Sequence, residues 1–245
     1  MTCRTRFAIM LPVLVLAAIA RGNAQDAASI HDDPPGIIFA SSPAVLIRVD
    51  GDPVYRAIEG TDLQRIVNTT AFIVREPHAT FYLRLRHLWM EAYLLTGDWT
   101  VAGAPPEGAD EALRRAASAK AIDLVELGAL QDPGSGERVV IARVPTVYVS
   151  TTPAELIVTD GQPRFVPFPG TALEYVENTS AHVFKEPADG DIFVFAAGRW
   201  YRSPTTDGPW QLVAAGRLPA DFGRIPEASL MKNGSSPDVP TPGGR

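Results

Sequence analysis

Cysteine is almost missing from this chain, and the one present, Cys3, stands before the only long apolar run. Past that point no thiol is left for a disulfide, an iron–sulfur cluster, a thiolate–zinc site or a cysteine nucleophile, so packing alone must hold the fold. Histidine is scarce too. His31, His78, His87 and His182 fall at no metal-ligand spacing, and nothing else in the sequence calls for a metal or a cofactor. Basic charge is in deficit, 22 Lys and Arg against 28 Asp and Glu for a net charge of −6. That balance excludes the clustered cations that nucleic acid or an anionic lipid surface demands. A G-x-S-x-G elbow is absent, and Gly134-Ser135-Gly136 is a loop element without a mechanism. The expectation is therefore a protein that is not an enzyme, with a carboxylate-pair hydrolase left as an alternative because any two acids can meet in space.

Apolar runs long enough to span a bilayer, roughly 20 residues, are lacking as well. The amino terminus has Arg4 and Arg6, then Phe7 to Ala20 broken only by Pro12, then Gly22-Asn23-Ala24 before Gln25. This is the pattern of a secretory signal peptide over residues 1–24, and it places the rest of the chain in the periplasm or outside the cell, with no span once the signal is cleaved. Cleavage removes Arg4, Arg6 and Arg21 but no acid, which deepens the negative charge.

What the chain does have is a repeat. Slid by about 110 residues, Ser42-Pro43-Ala44 meets Thr152-Pro153-Ala154, Asp50-Gly51 meets Asp160-Gly161, Gly60-Thr61 meets Gly170-Thr171, and Asn68-Thr69 meets Asn178-Thr179. After Glu76-Pro77 and Glu186-Pro187 one extra residue in the second copy shifts the frame. Trp89 then faces Trp200, Gly97 faces Gly208, and Trp99 faces Trp210.

Short apolar runs between turn residues predict strands and hairpins in each copy. Leu156–Thr159 and Arg164–Pro167 flank Asp160-Gly161, which reads as a tight hairpin turn. Two further hairpins are expected, about Asn178-Thr179-Ser180 and about Ala196-Ala197-Gly198. Between the copies Leu113, Ala117, Ala121 and Leu124 recur at helical spacing. The fold expected is all-β: two tandem pseudo-symmetric small modules of short antiparallel strands joined by one helix. Its boundaries are residues 35–104 for the first copy, 105–136 for the helical linker, 137–226 for the second copy, and 227–245 for a disordered Pro/Gly/Ser tail.

The candidate binding residues are Arg199, Trp200, Tyr201 and Trp210, since aromatic faces suit the CH-rich faces of sugars and an arginine adds hydrogen bonds. The competing reading makes the tryptophans core residues. Met90 stands in the first copy where Tyr201 stands in the second, so Tyr201 with Arg199 is the element that one copy has alone. Asn68-Thr69-Thr70 and Asn178-Thr179-Ser180 match a glycosylation pattern, yet their place at equivalent turns accounts for them without sugar.

Together Thr151–Ile157, Gly170-Thr171, Asn178-Thr179, Gly198-Arg199-Trp200-Tyr201, Gly208-Pro209-Trp210 and Leu218–Phe222 with Ile225-Pro226 resemble a group of bacterial exported proteins. Its members are often labelled carbohydrate-binding family V/XII, after small chitin-binding modules with a tryptophan-rich β-hairpin. The likeness runs from about Pro35 to Pro226. It implies a non-catalytic binding or scaffold protein whose partner is an envelope glycan, through the aromatic hairpin, or an envelope protein, with the tryptophans buried.

Overall fold

A computed structural model describes residues 34–77, 80–85, 88–123, 144–214 and 216–225. The expected signal, Cys3, His31, His78, His87, the span 124–143 with Leu124 and the Gly134-Ser135-Gly136 loop, and the expected tail lie outside the described residues.

Strand β1 is Gly36–Ala40 and β2 is Ala44–Arg48. The first copy continues with β3 Tyr55–Ala57, β4 Gln64–Ile66, β5 Ile73–Arg75, β6 Phe81–Leu85, β7 Leu88–Ala92 and β8 Thr100–Val101, then helix α1, Ala109–Ser118. The second copy has β9 Thr146–Ser150, β10 Ala154–Val158, β11 Phe165–Pro167, β12 Glu174–Val176, β13 His182–Lys185, β14 Ile192–Ala196, β15 Arg199–Ser203 and β16 Gln211–Leu212, then a 3-10 turn, Ala220–Arg224. Strands β3 to β8 form one six-stranded antiparallel sheet in sequence order, and β11 to β16 form another with the same order. Among the described residues the all-β, two-module, one-helix expectation is met.

The four remaining strands depart from the antiparallel rule. β1 pairs in parallel with β10, Gly36 beside Ala154, and β2 pairs in parallel with β9, Ala44 beside Thr146. At the repeat offset, Gly36 is the counterpart of Thr146 and Ala44 of Ala154. The two pairings are therefore one interaction seen from either copy, as in a two-fold interface. Each copy lends its first strand to the other. Ile37 and Phe39 of β1 pack in the second copy's core with Ile157, Val183 and Tyr201, while Val147 and Val149 of β9 pack in the first copy's core with Ile66, Leu83 and Met90. Near-continuous apolar sequence in these strands suits parallel pairs whose two faces are both in demand. An ion pair across the seam, Arg48 to Glu155 at 3.6 Å, is largely exposed and adds little.

This exchange corrects one expectation. Asp160-Gly161 does turn the chain, with Gly161 at φ 79°, but β10 and β11 belong to different sheets, so the turn is a corner and not a hairpin. The corner is held from outside. Asn178 Oδ1 accepts from the Arg164 N–H at 2.9 Å, and its Nδ2 donates to the Asp160 and Gln162 carbonyls at 2.8 and 2.9 Å. Asn68 makes the same three bonds to Val54, Asp50 and Asp52 in the first copy. Both amide hydrogens of each asparagine are spent in the turn, which accounts for the repeated Asn-Thr without sugar.

Helix α1 is shorter than the apolar spacing suggests. Lys120 adopts φ 51°, its N–H donates to the Ala117 carbonyl, and the Ala121 N–H donates to the Ala116 carbonyl, a left-handed C-terminal closure that leaves Ala121 exposed outside the helix. Ala109, Ala112, Leu113 and Ala116 face inward and join the first copy's core, so α1 is a cover for that sheet and not a spacer.

Two measurements check this architecture. A Cβ placed on Gly36 lies 3.7 Å from the Ala154 Cβ, close to the roughly 3.8 Å typical of disulfides. Gly36→Cys with Ala154→Cys should oxidise to an intramolecular crosslink, read as faster migration on a non-reducing gel. Ala197 at φ 50° precedes Gly198 at φ 77° in the two-residue β14–β15 turn. Ala197→Gly should raise unfolding free energy by about 1 kcal/mol, because a Cβ is penalised there.

Candidate functional site

Adjacent residues of a strand point to opposite faces of its sheet, and this decides what the aromatic segment can do. Trp200 lies opposite Phe195 on one face and Tyr201 opposite Val194 on the other. Trp200 packs against Phe222 at 5.0 Å, Phe195 at 5.2 Å and Phe184 at 5.8 Å. Tyr201 joins Ile37, Val176 and Val194 in the core that the exchanged strand covers. Both are buried, and no single ligand face includes both rings. Burial raises the Tyr201 phenol above its ordinary value; the charge of Glu155 adds to the rise and that of Arg199 opposes it. Met90 is sealed at the matching place in the first copy, so the Met-to-Tyr difference changes a core filling and not an exposed surface.

Trp210 and Arg199 are half-buried. The Trp210 ring stacks on Phe39 of β1, with centroids 6.0 Å apart and planes within 10°. The four indole N–H groups are served unequally. Trp89 donates to Asp110 of α1 at 3.2 Å and Trp99 to the Leu95 carbonyl at 3.1 Å. Those of Trp200 and Trp210 find no hydrogen-bond acceptor among the described residues. Among the described residues the second copy shows no counterpart of α1; the 3-10 turn packs on the sheet there, and the edge-on Phe222 ring occupies the surroundings of Trp200.

One chemically active arrangement escaped sequence reasoning. A groove of about 510 Å³ is lined by Glu186, Asp189 and Asp191 from the β13–β14 loop, with Arg202, Gln211 and Arg217 opposite. The loop is closed by Glu186 N–H to Asp191 O at 2.9 Å and Gly190 N–H to Glu186 O at 2.8 Å. The Glu186 carboxyl is raised above its ordinary value, first by partial burial and then by the charges of Asp189, Asp191 and Asp221. Asp191 is partly neutralised by Arg202 at 3.5 Å. Such a groove can hold a proton at Glu186 to higher pH than an isolated carboxyl, or receive a cationic group. Three acids within six residues were the available signal, but their convergence depends on the turn.

His182 opens β13 beside Phe195, with ring centroids 6.4 Å apart. Among the described residues no group of three or more His, Cys, Asp or Glu side chains is arranged to hold a metal ion. No protein-family model, curated protein or solved structure matches this chain.

Glu186 supplies a pH test. Its carboxyl is raised in the fold, so its favourable contribution is complete below the unfolded value and is lost as pH climbs through the folded one. Glu186→Gln should therefore raise the melting temperature at neutral pH, and the gain should vanish as pH falls into the ordinary carboxylate range. Thermal melts across pH read this directly.

Proposed function

We propose that this chain is a non-catalytic binding scaffold of the cell envelope that docks protein partners, with its tryptophans serving the core. The observation carrying this reading is the burial of Trp200 and Tyr201, 3 % and 4 % exposed, on opposite faces of one sheet. A sugar platform needs exposed rings that share a plane. The acidic balance favours protein over nucleic acid, and the amino-terminal signal pattern favours an exported setting. Among the described residues no helix is long and apolar enough to cross a membrane. A glycan contact, the other partner open to such a scaffold, falls to the Trp210–Phe39 stack with Arg199.

A second reading, an envelope-polymer hydrolase, is favoured by the raised Glu186 carboxyl beside Asp191 in an open groove. It requires Glu186→Gln to abolish release of reducing ends from polysaccharide by the purified protein. Loss of that activity with the fold intact would replace the scaffold reading.

Acrylamide quenching of tryptophan emission, followed by titration with soluble chitin oligosaccharides, separates protein from glycan. The scaffold reading expects blue-shifted emission, weak quenching and no response to sugar. Strong quenching relieved by sugar, and lost in Trp210→Ala, would establish glycan binding instead.

A further inference from the structure

Resting on the protein-docking reading above, we propose that the tip of the β7–β8 hairpin, Tyr93 with Leu94, is the docking element, and that it enters an apolar pocket rimmed by lysine or arginine side chains on a partner protein. Tyr93 is 85 % and Leu94 69 % exposed, side by side in the chain, and Val101 on the neighbouring edge strand is exposed as well. Two adjacent large side chains this exposed, beside the buried Leu95, form a small apolar protrusion, and tyrosine is a frequent anchor of protein interfaces.

The display is built and not incidental. The Gly97 N–H donates to the Leu94 carbonyl at 3.0 Å, closing the turn, and the Trp99 indole N–H donates to the Leu95 carbonyl at 3.1 Å from beneath it. Leu95 and Trp99 are both buried in the first copy's core. The backbone at Leu94 and Leu95 is therefore held, and of the tip's large apolar side chains Leu95 and Trp99 face inward while Tyr93 and Leu94 face out. A Cβ at Gly97 would sit 3.1 Å from the Leu94 Cβ, tight enough to push Leu94 aside by a few tenths of an ångström. A pre-ordered element gives up little entropy on binding. The second copy does not repeat the device. Pro204 and Thr205 stand where Tyr93 and Leu94 would be, and the Trp210 N–H lacks the hydrogen bond that its counterpart makes.

Charge selects the occupant. Glu91 precedes Tyr93 by two residues, and continuing the Met90–Val101, Glu91–Thr100 register sets Asp98 across from Tyr93. Tyr82 lies opposite Glu91, and its hydroxyl donates to Glu76 at 3.5 Å. Burial first, then the charges of Glu76 and Glu91, raise the Tyr82 phenol above its ordinary value. An apolar tip with Glu91 and Asp98 beside it, and Glu76 at the Tyr82 hydroxyl across from Glu91, repels a second copy of itself and an anionic membrane, and attracts a basic rim.

The test uses the full mature protein and a fluorescein-labelled ten-residue peptide of alternating leucine and lysine, read by anisotropy. Tyr93→Ser with Leu94→Thr should weaken binding about tenfold or more, since exposed anchors carry most of such an interaction. Glu91→Lys with Asp98→Lys should weaken it at low salt and leave little salt dependence. Unchanged unfolding midpoints would show that both variants are folded; Gly97→Ala, which keeps every tip side chain, should also weaken binding. Equal affinity of the tip variant and the wild type overturns the proposal, as does equal binding of a leucine–glutamate peptide or tip-dependent binding to anionic phospholipid vesicles. Peptide binding that survives the tip variant but is lost in Asp189→Asn with Asp191→Asn overturns the tip while leaving protein docking in place. Absence of peptide binding, joined to sugar protection of the tryptophans, overturns both.

Discussion

Parallel pairing of β1 with β10 and of β2 with β9 is the constraint on which the other contacts of the fold rest. Each six-stranded sheet has two faces to cover, and one face of each is closed by strands that include the other copy's first strand. Without β1, the second copy loses Ile37 and Phe39 from its core, and Trp210 loses the ring on which it stacks. Without β9, the first copy loses Val147 and Val149 from its own. Fully burying an apolar side chain of this size is worth roughly 1.5–3 kcal/mol, so losing Ile37 with the partly buried Phe39, or Val147 with the partly buried Val149, removes a sizeable share of a small domain's margin. Neither copy is a complete folding unit.

The second face of each sheet is where the copies part company. Helix α1 covers the first, with Asp110 meeting the Trp89 indole, while a five-residue 3-10 turn covers the second, with Phe222 meeting Trp200. The shared elements are structural: the Asn68 and Asn178 corners, the exchanged strands and the paired tryptophans. Differences that reach solvent lie at loops and hairpin tips, the acidic β13–β14 loop in one copy and Tyr93-Leu94 in the other. That distribution is what a scaffold shows when its frame is fixed by packing and its loops are free to diverge.

Much of this was readable from residues. The repeat, its one-residue frame shift, the Asn-Thr turns, the β12–β13 and β14–β15 hairpins and a helix between the copies follow from spacing and turn chemistry. The strand partners do not, because alternation identifies a strand without saying which other strand it lies against. Asp160-Gly161 therefore looked like a hairpin although its flanking strands part into separate sheets. The opposite faces of Trp200 and Tyr201 could have been deduced from the two-residue period alone, and their burial on both sides required the exchanged strand and Phe222. Glu186 and the Tyr93-Leu94 tip were not legible, since convergence of acids and exposure of apolar groups are properties of the folded surface.

If strand exchange makes one cooperative unit of two copies, all parts of both must be lost together. The chain carries its own reporters in Trp89, Trp99, Trp200 and Trp210. With 5-fluorotryptophan incorporated, fluorine NMR through a urea titration follows each without altering a contact by mutation. The account predicts that all four native signals disappear with a single midpoint and slope. Native signals of Trp89 and Trp99 persisting after those of Trp200 and Trp210 have gone, or the reverse, would show copies that fold independently and would contradict it.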